Sequence, residues 1–428
     1  MQKKISPARR VRGFVRIPGD KSISHRYGML ASIAEGTTKI HNYSTGADCH
    51  STLRCMSALG ALVEELPQSE VHIHGQGLYG LKEPAEMLDA GNSGSTIRML
   101  SGILAAQPFR CMIAGDESLS RRPMQRIMTP LAEMGVSIQA RDGKYPPLEI
   151  HGGALKAIDY TLPVPSAQVK SCVLFAGLYA DGVTTVRESI RTRDHSELAL
   201  REFGADVRSV KGVISITGKP KLEGRELMVP GDLSSAAFFL VATLVVPQAD
   251  LILQGVGLNP TRSYLLDFLI SLGAKIKVPN IQDSGGELIG DLDAKGGGIA
   301  GGVIEKAQTA ALIDEIPVLA VLGALSENGL TVRDAGELRI KETDRIAAIA
   351  DNFARMGVSM EVTADGFHIP GRQKFRGALV DSFGDHRIAM ACAVAALSAD
   401  SEVTIENAEA ASVSYPEFYD TLAEIVEA

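Results

Sequence analysis

Near its start the chain reads IPGDKSISHR (Ile17 to Arg26), an acid, a lysine, two serines, a histidine and an arginine within ten residues. Further clusters of similar character follow: GNSGSTIR ending at Arg98, RRPM around Arg122, PSAQ ending at Gln168, LRIKETDR ending at Arg345, and GDHRIAM around Arg387. In several of them Gly, Ser, Asn or Asp stands just before an apolar stretch, as residues at a helix N-terminus do. Such ends offer unpaired backbone N–H groups and a positive dipole end, which suit an anion. Caps alone are ordinary stability devices. They do not explain Lys21 and Arg26 beside Ser22, Arg98 after GNSGST, or Arg387 after Gly384. The dipole favours acids at such positions. Cations there need another reason, and a polyanionic ligand is the simplest.

Other chemistries fit less well. Lys21-Ser22 is not a nucleotide P-loop, because Asp20 separates Gly19 from Lys21 and the upstream glycine spacing fails. No GxGxxG opens a strand-to-helix turn. His72 and His74 share one strand face with no third ligand nearby, and Asp48 to His50 lacks ligand spacing, so no metal site is expected. Cys111 reads as a buried strand residue rather than a nucleophile. Arg122, Arg193, Arg262 and Lys341 recur where a second helix begins, and an i, i+4 spacing would put Lys341 and Arg345 on one helical face beside Glu342.

The elements that must hold these residues form an internal repeat. A helix closed by Gly and followed by a strand recurs five times, at Gly60, Gly135, Gly204, Gly273 and Gly357. Each is followed by a second short strand ending in Gly: VHIHG, LEIHG, ISITG, ELIG and FHIPG. An interleaved series of small-residue helix, turn and Thr/Val/Ile-rich strand recurs six times. The missing sixth hairpin has a candidate in RGFVRIPG (Arg12 to Gly19), which resembles DGFHIPG and would complete the last unit. The simplest division is three units per domain. The boundaries then fall at PGD (Pro18 to Asp20) and its echo PGD (Pro230 to Asp232), giving one domain over 20–229 and another over 1–19 with 230–428.

Composition agrees with a multidomain globular protein. The chain has 428 residues, 45% hydrophobic and 22% charged. The longest apolar run, Ala236 to Val246, is too short to span a bilayer, and no apolar segment follows the basic start as a secretory signal would require. Five scattered cysteines form no CxxC pair, which suits a reducing cytoplasm. A net charge of -8 argues against broad nucleic-acid binding, so any anion site must be a local concentration of Lys and Arg.

Taken jointly, PGDKSISHR, GNSGSTIR, RRPM, LRIKETDR and GDHRIAM closely resemble the 5-enolpyruvylshikimate 3-phosphate (EPSP) synthase family, and the likeness covers essentially the whole chain. The resemblance implies a two-domain inside-out α/β barrel of six βαβαββ units, three per domain, joined by a double crossover. It implies transfer of the enolpyruvyl group of phosphoenolpyruvate to shikimate 3-phosphate on the route to chorismate and the aromatic amino acids. No cofactor or metal is implied. The expected partners are those two small molecules, with no nucleic acid and no membrane, and the expected form is a cytoplasmic monomer. Carried over motif by motif, shikimate 3-phosphate falls to Lys21, Ser22, Arg26, Ser166, Ala167, Gln168, Arg193, Asp314 and Lys341. Phosphoenolpyruvate falls to Lys21, Gly94, Arg122, Gln168, Arg345 and Arg387, and the catalytic roles to Asp314, Glu342 and Lys21.

Three positions depart from the pattern of many members. Ala167 replaces a second Ser, Glu337 an Asn, and SVSYPEF lacks a Lys before its aromatic-Pro pair. These lean toward the branch that includes glyphosate-tolerant enzymes, yet Gly94 lacks the methyl that tolerant members often carry, so inhibition by glyphosate is expected. Two alternatives remain to be set against this reading. The sister transferase acting on UDP-N-acetylglucosamine usually has a Cys shortly before its Arg-Pro pair, where this chain has Glu117 and no Cys. A non-catalytic anion-binding scaffold would not need Lys21, Asp314, Glu342 and Arg387 intact together.

Overall fold

The computed structural model describes residues 1–427. Contacts divide the chain into two compact units: Gly19–Val229 with Ser284–Glu287, and Met1–Pro18 with Pro230–Asp283 and the chain from Leu288 onward. Each unit has its own hydrophobic core. In the second, the helices Leu233–Val245, Ile316–Leu325 and His386–Ala396 pack on one another and are buried along almost their whole length. Helices apolar all round belong inside. The sheets lie outside them. Tyr145–His151 shows the pattern in the other unit, with alternate residues buried as a strand with one face on the core requires.

Five glycines close helices as expected: Gly60, Gly135, Gly204, Gly273 and Gly357 have φ of +95°, +103°, +100°, +99° and +76°. That region strains any residue with a Cβ, so Gly is the residue that ends these helices. The hairpins follow. Ser137–Arg141 pairs antiparallel with Tyr145–His151, Val207–Val210 with Val213–Thr217, and Glu361–Thr363 with Gly366–Ile369. In each of these sheets the hairpin pairs with the strand after the first helix, and a short leading strand lies parallel on its far side. Leu88–Asp89 beside Arg110–Ala114 is one example.

Two leading strands are exchanged. Arg10–Arg16 precedes the helix Lys21–Ile33 in sequence but lies parallel to Gln248–Gly257, in the sheet that belongs to the helix Leu233–Val245. Glu226–Met228 precedes that helix but lies parallel to Glu35–His41. This corrects the reading of RGFVRIPG as the strand completing the last unit. Gln2–Ile5 takes that place, antiparallel to Val403–Glu406.

The repeated PGD has a steric and a capping cause. A Cβ built on Gly19 would lie 1.8 Å from the Asn42 carbonyl oxygen, and one on Gly231 would lie 2.9 Å from that of Gly255 and from Ile17 Cβ. The Asp after each Gly caps a helix: Asp20 Oδ1 accepts from the Ile23 amide at 2.9 Å, and Asp232 Oδ1 from the Ser234 amide at 2.8 Å. Gly19→Ala is expected to lower the unfolding free energy by about 3 kcal/mol, through overpacking against rigid backbone. The measurement is the chemical-denaturation midpoint. Gly153→Ala, where an added Cβ meets nothing within 4 Å, should change it by no more than about 0.5 kcal/mol.

Candidate active site

In the Gly19–Val229 unit, Lys21 is the first residue of its helix, and its Nζ lies 3.1 Å from Asp48 Oδ2. Asp48 sits in the first turn of the helix Ala47–Ala58, where the dipole favours an acid. Arg26 is 3% exposed and spends its fork on neutral groups. Its Nε donates to Ser196 Oγ at 2.7 Å, Nη2 to Ser171 Oγ at 2.8 Å, and Nη1 to the Ser22 carbonyl at 2.6 Å. Burial among neutral partners pulls its pKa down to about 10, against the opposing pull of Glu197 and Asp20. His25 is fully buried, with Nδ1 2.7 Å from Thr52 Oγ1. Burial first, then the charges of Lys21 and Arg26, hold its pKa well below 6.5.

A second cluster gathers at the starts of Gly94–Leu104 and Ala167–Gly177. Arg98 Nη1 donates to Gln168 Oε1 at 2.7 Å, and Gln168 Nε2 to Ser95 Oγ at 2.9 Å. Arg122 follows a short 3-10 turn, and its Nη2 donates to Asn92 Oδ1 at 2.9 Å and Ser118 Oγ at 3.0 Å. A Cβ on Gly94 would lie 2.8 Å from Arg98 Nη1 and 3.5 Å from Arg122 Nη1, so the missing side chain is what lets the two guanidiniums approach this helix end. Ser166 is itself the cap, accepting from the Val169 amide at 3.3 Å, and Ala167 opens the helix without a polar group. Arg193 is partly buried in the loop before the helix His195–Glu202, near enough to Arg26 to oppose its charge.

In the other unit Arg345 is 1% exposed and opens the helix Arg345–Arg355 behind its cap Asp344. Its Nε donates to Asp385 Oδ2 at 2.8 Å and its Nη2 to Glu342 Oε2 at 2.6 Å. Its Nη1 has no hydrogen-bond partner among the described residues and lies 3.7 Å from Asp314 Oδ1. These carboxylates hold the guanidinium strongly in its charged form despite complete burial. Arg387 Nη1 donates to the Asp314 carbonyl at 2.8 Å, and its Nη2 lies 3.9 Å from Asp314 Oδ2. Lys341 does not share a helical face with Arg345 as expected. It ends the 3-10 turn Gly336–Ile340 and precedes the helix, so no i, i+4 face joins it to Arg345. The recurring Arg262 is buried against Ser234, Glu315 and Asp232, as an internal support.

Each unit therefore carries cations in the first turns of helices, where protein structure alone would place acids. The helices beginning at Lys21, Gly94, Ala167, Leu233, Ile316, Arg345 and His386 have no acid in their first turn. A family model described as EPSP synthase (3-phosphoshikimate 1-carboxyvinyltransferase) matches residues 5–422. The chain belongs to the EPSP synthase family.

Among relatives of this EPSP synthase family member, a 3-phosphoshikimate 1-carboxyvinyltransferase of Solibacter usitatus is 65% identical over 427 residues, covering 100% of both chains. That of Koribacter versatilis is 52% identical over 425 residues, covering 99% of each. The EPSP synthase structure from Acinetobacter baumannii superposes with a TM-score of 0.89 at 42% identity, over 99% of this chain and 98% of that one. The mixed α/β fold is thus that of EPSP synthase structures. The enolpyruvyl transferase NikO from Streptomyces tendae, at 18% identity, shares the fold with a TM-score of 0.80 over 99% of this chain and 96% of its own.

Sequence reasoning found the cations and, among their partners, Asp314 and Glu342, but missed Asp48 and Asp385 in that role. Asp48 and Asp385 were legible only as members of DCH and GDHR, and Lys170 only as a Lys within an apolar helix. The other dismissed groups lie where ordinary packing puts them. Cys111 is buried with its thiol pushed up to about 12, and His72 pairs with Glu70 at 2.6 Å on a partly exposed sheet face. His25 supplies a pH test. Its folded pKa is depressed, so below about pH 6.5 the unfolded chain binds a proton that the folded chain refuses. This contribution to stability is present above pH 6.5 and is lost as pH falls, by up to about 1.4 kcal/mol per pH unit. Denaturation midpoints between pH 7.5 and 5 should fall more steeply for the parent protein than for His25→Gln. Equal slopes would contradict a neutral buried His25.

Proposed function

We infer that the chain transfers the enolpyruvyl group of phosphoenolpyruvate to the 5-hydroxyl of shikimate 3-phosphate, releasing inorganic phosphate. Membership of the family and full-length relatives named for this activity support the reading. The structural observation that carries it is the buried Arg345 Nη1, a charged donor without a hydrogen-bond partner among the described residues, in a chain whose helix ends gather cations. Both substrates are polyanions, and a guanidinium fork grips phosphate or carboxylate bidentately.

In this reading Lys21, Ser22, Arg26, Ser166, Ala167, Gln168, Arg193, Asp314 and Lys341 serve shikimate 3-phosphate. Lys21, Gly94, Arg122, Gln168, Arg345 and Arg387 serve phosphoenolpyruvate. Arg26 and Ser166 act largely through position, since their polar atoms already serve the fold.

The chemistry is addition, then elimination. The shikimate hydroxyl oxygen bonds to C2 of phosphoenolpyruvate, its proton passes to Asp314, and C3 gains a proton to become a methyl. C3 then loses a proton, the bond from C2 to the phosphate oxygen breaks, and phosphate leaves. Glu342 and Lys21 are the proton-transfer partners around C3 and the departing phosphate. The neighbouring guanidiniums stabilise charge as it develops on the phosphate.

Among the described residues no helix is long and apolar enough to cross a membrane. We place the enzyme in the cytoplasm, as a monomer working on two small molecules.

Incubation with phosphoenolpyruvate and shikimate 3-phosphate should release phosphate, and UDP-N-acetylglucosamine as acceptor should not. Binding of both substrates without phosphate release would instead favour an anion-binding scaffold. Asp314→Asn should leave binding measurable and cut turnover by about a hundredfold or more. Near-parental turnover would remove Asp314 from the role of base. Glyphosate should inhibit competitively with phosphoenolpyruvate. An inhibition constant far above the Michaelis constant for phosphoenolpyruvate would show that an open Gly94 is not sufficient for sensitivity.

A further inference from the structure

Lys170 lies on the helix Ala167–Gly177, two residues after Gln168, and its side chain is 0% exposed. Its Nζ lies 2.7 Å from Glu197 Oε1 and 3.2 Å from Glu188 Oε2, both buried. Three charges removed from water are an expensive way to fill space that Leu or Met would fill. What they do is connect. Glu188 Oε2 also accepts from the Thr192 amide at 3.2 Å and from Thr192 Oγ1 at 2.7 Å, and Thr192 immediately precedes Arg193. Glu197 follows Ser196, whose hydroxyl receives Arg26 Nε and lies 2.5 Å from Ser171 Oγ. Burial pushes the Glu197 carboxyl up, and Lys170 offsets part of that push. One ammonium thus ties together the helix start bearing Ser166 to Gln168, the loop bearing Arg193, and the helix start that holds Arg26.

We propose that the buried Lys170–Glu188–Glu197 set is a positioning device that fixes Arg193 through Thr192, and so sets the affinity for shikimate 3-phosphate without touching either substrate. The proposal rests on the assignment of Arg193 to shikimate 3-phosphate. It predicts a selective effect, because the loop it anchors carries Arg193 and none of the residues assigned to phosphoenolpyruvate.

The test is steady-state kinetics on Thr192→Val, Thr192→Ser, Lys170→Met and Arg193→Ala, each with a thermal-unfolding control. Thr192→Val removes a hydrogen bond to a charged acceptor, and the KM for shikimate 3-phosphate should rise about tenfold. The kcat and the KM for phosphoenolpyruvate should stay within about twofold, and Thr192→Ser, which keeps the hydroxyl, should restore the parental KM. Lys170→Met should raise the KM for shikimate 3-phosphate by more than Thr192→Val does. If Arg193→Ala raises the KM for shikimate 3-phosphate and Thr192→Val does not, the positioning role is overturned while the assignment of Arg193 stands. If Arg193→Ala leaves that KM unchanged, the assignment itself falls, and the proposal with it. A drop in kcat, or an equal rise in both KM values, in a Thr192→Val protein of unchanged stability also overturns it.

Discussion

A buried guanidinium at the first position of a helix is opposed twice, by the loss of water and by the positive end of the helix dipole. Arg345 is in that position, and the arrangement of its unit follows from how the opposition is met. Asp385 gives both oxygens to Arg345 and also accepts the amide of Arg387 at the start of the next helix. A single carboxylate therefore fixes two helix ends and the two arginines on them. Glu342 is held on the same guanidinium, and Asp314 lies against it and against Arg387. The groups assigned to proton transfer are oriented by the cations assigned to bind the phosphate.

The Gly19–Val229 unit meets the same constraint differently. Arg26 is satisfied by two serine hydroxyls and a backbone carbonyl, and its pKa falls to about 10 where that of Arg345 rises. At neutral pH Arg26 is still charged, but no carboxylate touches it in the hydrogen bonds that hold it. The opposing negative charge stands one layer away, first in Glu197 and then in Asp20, and Glu197 is shared with Lys170.

Much of this was legible in the chain because certain demands admit few residues. A helix closed in the left-handed region asks for Gly, and the five predicted glycines have positive φ. A backbone oxygen lying 1.8 Å from a would-be Cβ at Gly19 and 2.9 Å from one at Gly231 asks for Gly again in both copies of PGD. Which sheet receives RGFVRIPG was not legible. RGFVRIPG and DGFHIPG carry the same alternation, and alternation specifies a buried face but not which sheet edge receives it. The expected face shared by Lys341 and Arg345 failed for a local reason. Asp344 caps the helix through the Ala347 amide, and the TDR sequence before an apolar stretch was the signal of a start rather than an interior. Lys170 escaped notice because a lysine in AQVKSCVLF is the same letter whether it reaches water or two buried carboxylates.

The pairing of cations with carboxylates also bears on catalysis. Around Arg345 and Arg387 the acids Asp314, Glu342 and Asp385 supply at least as much negative charge as the two arginines supply positive. An anionic substrate drawn to this cluster cannot simply add to an excess of positive charge. It can take the Arg345 Nη1 that no hydrogen bond engages among the described residues and compete with Asp314 3.7 Å away. A carboxylate relieved of part of its guanidinium partner becomes a better proton acceptor. Asp385 is held too completely to yield, with both oxygens engaged at full burial. Asp314 and Glu342 are less buried than Asp385 and are the members better able to exchange. On the proposed assignment, arrival of the phosphate at Arg345 and the readiness of Asp314 and Glu342 to move protons are one electrostatic event.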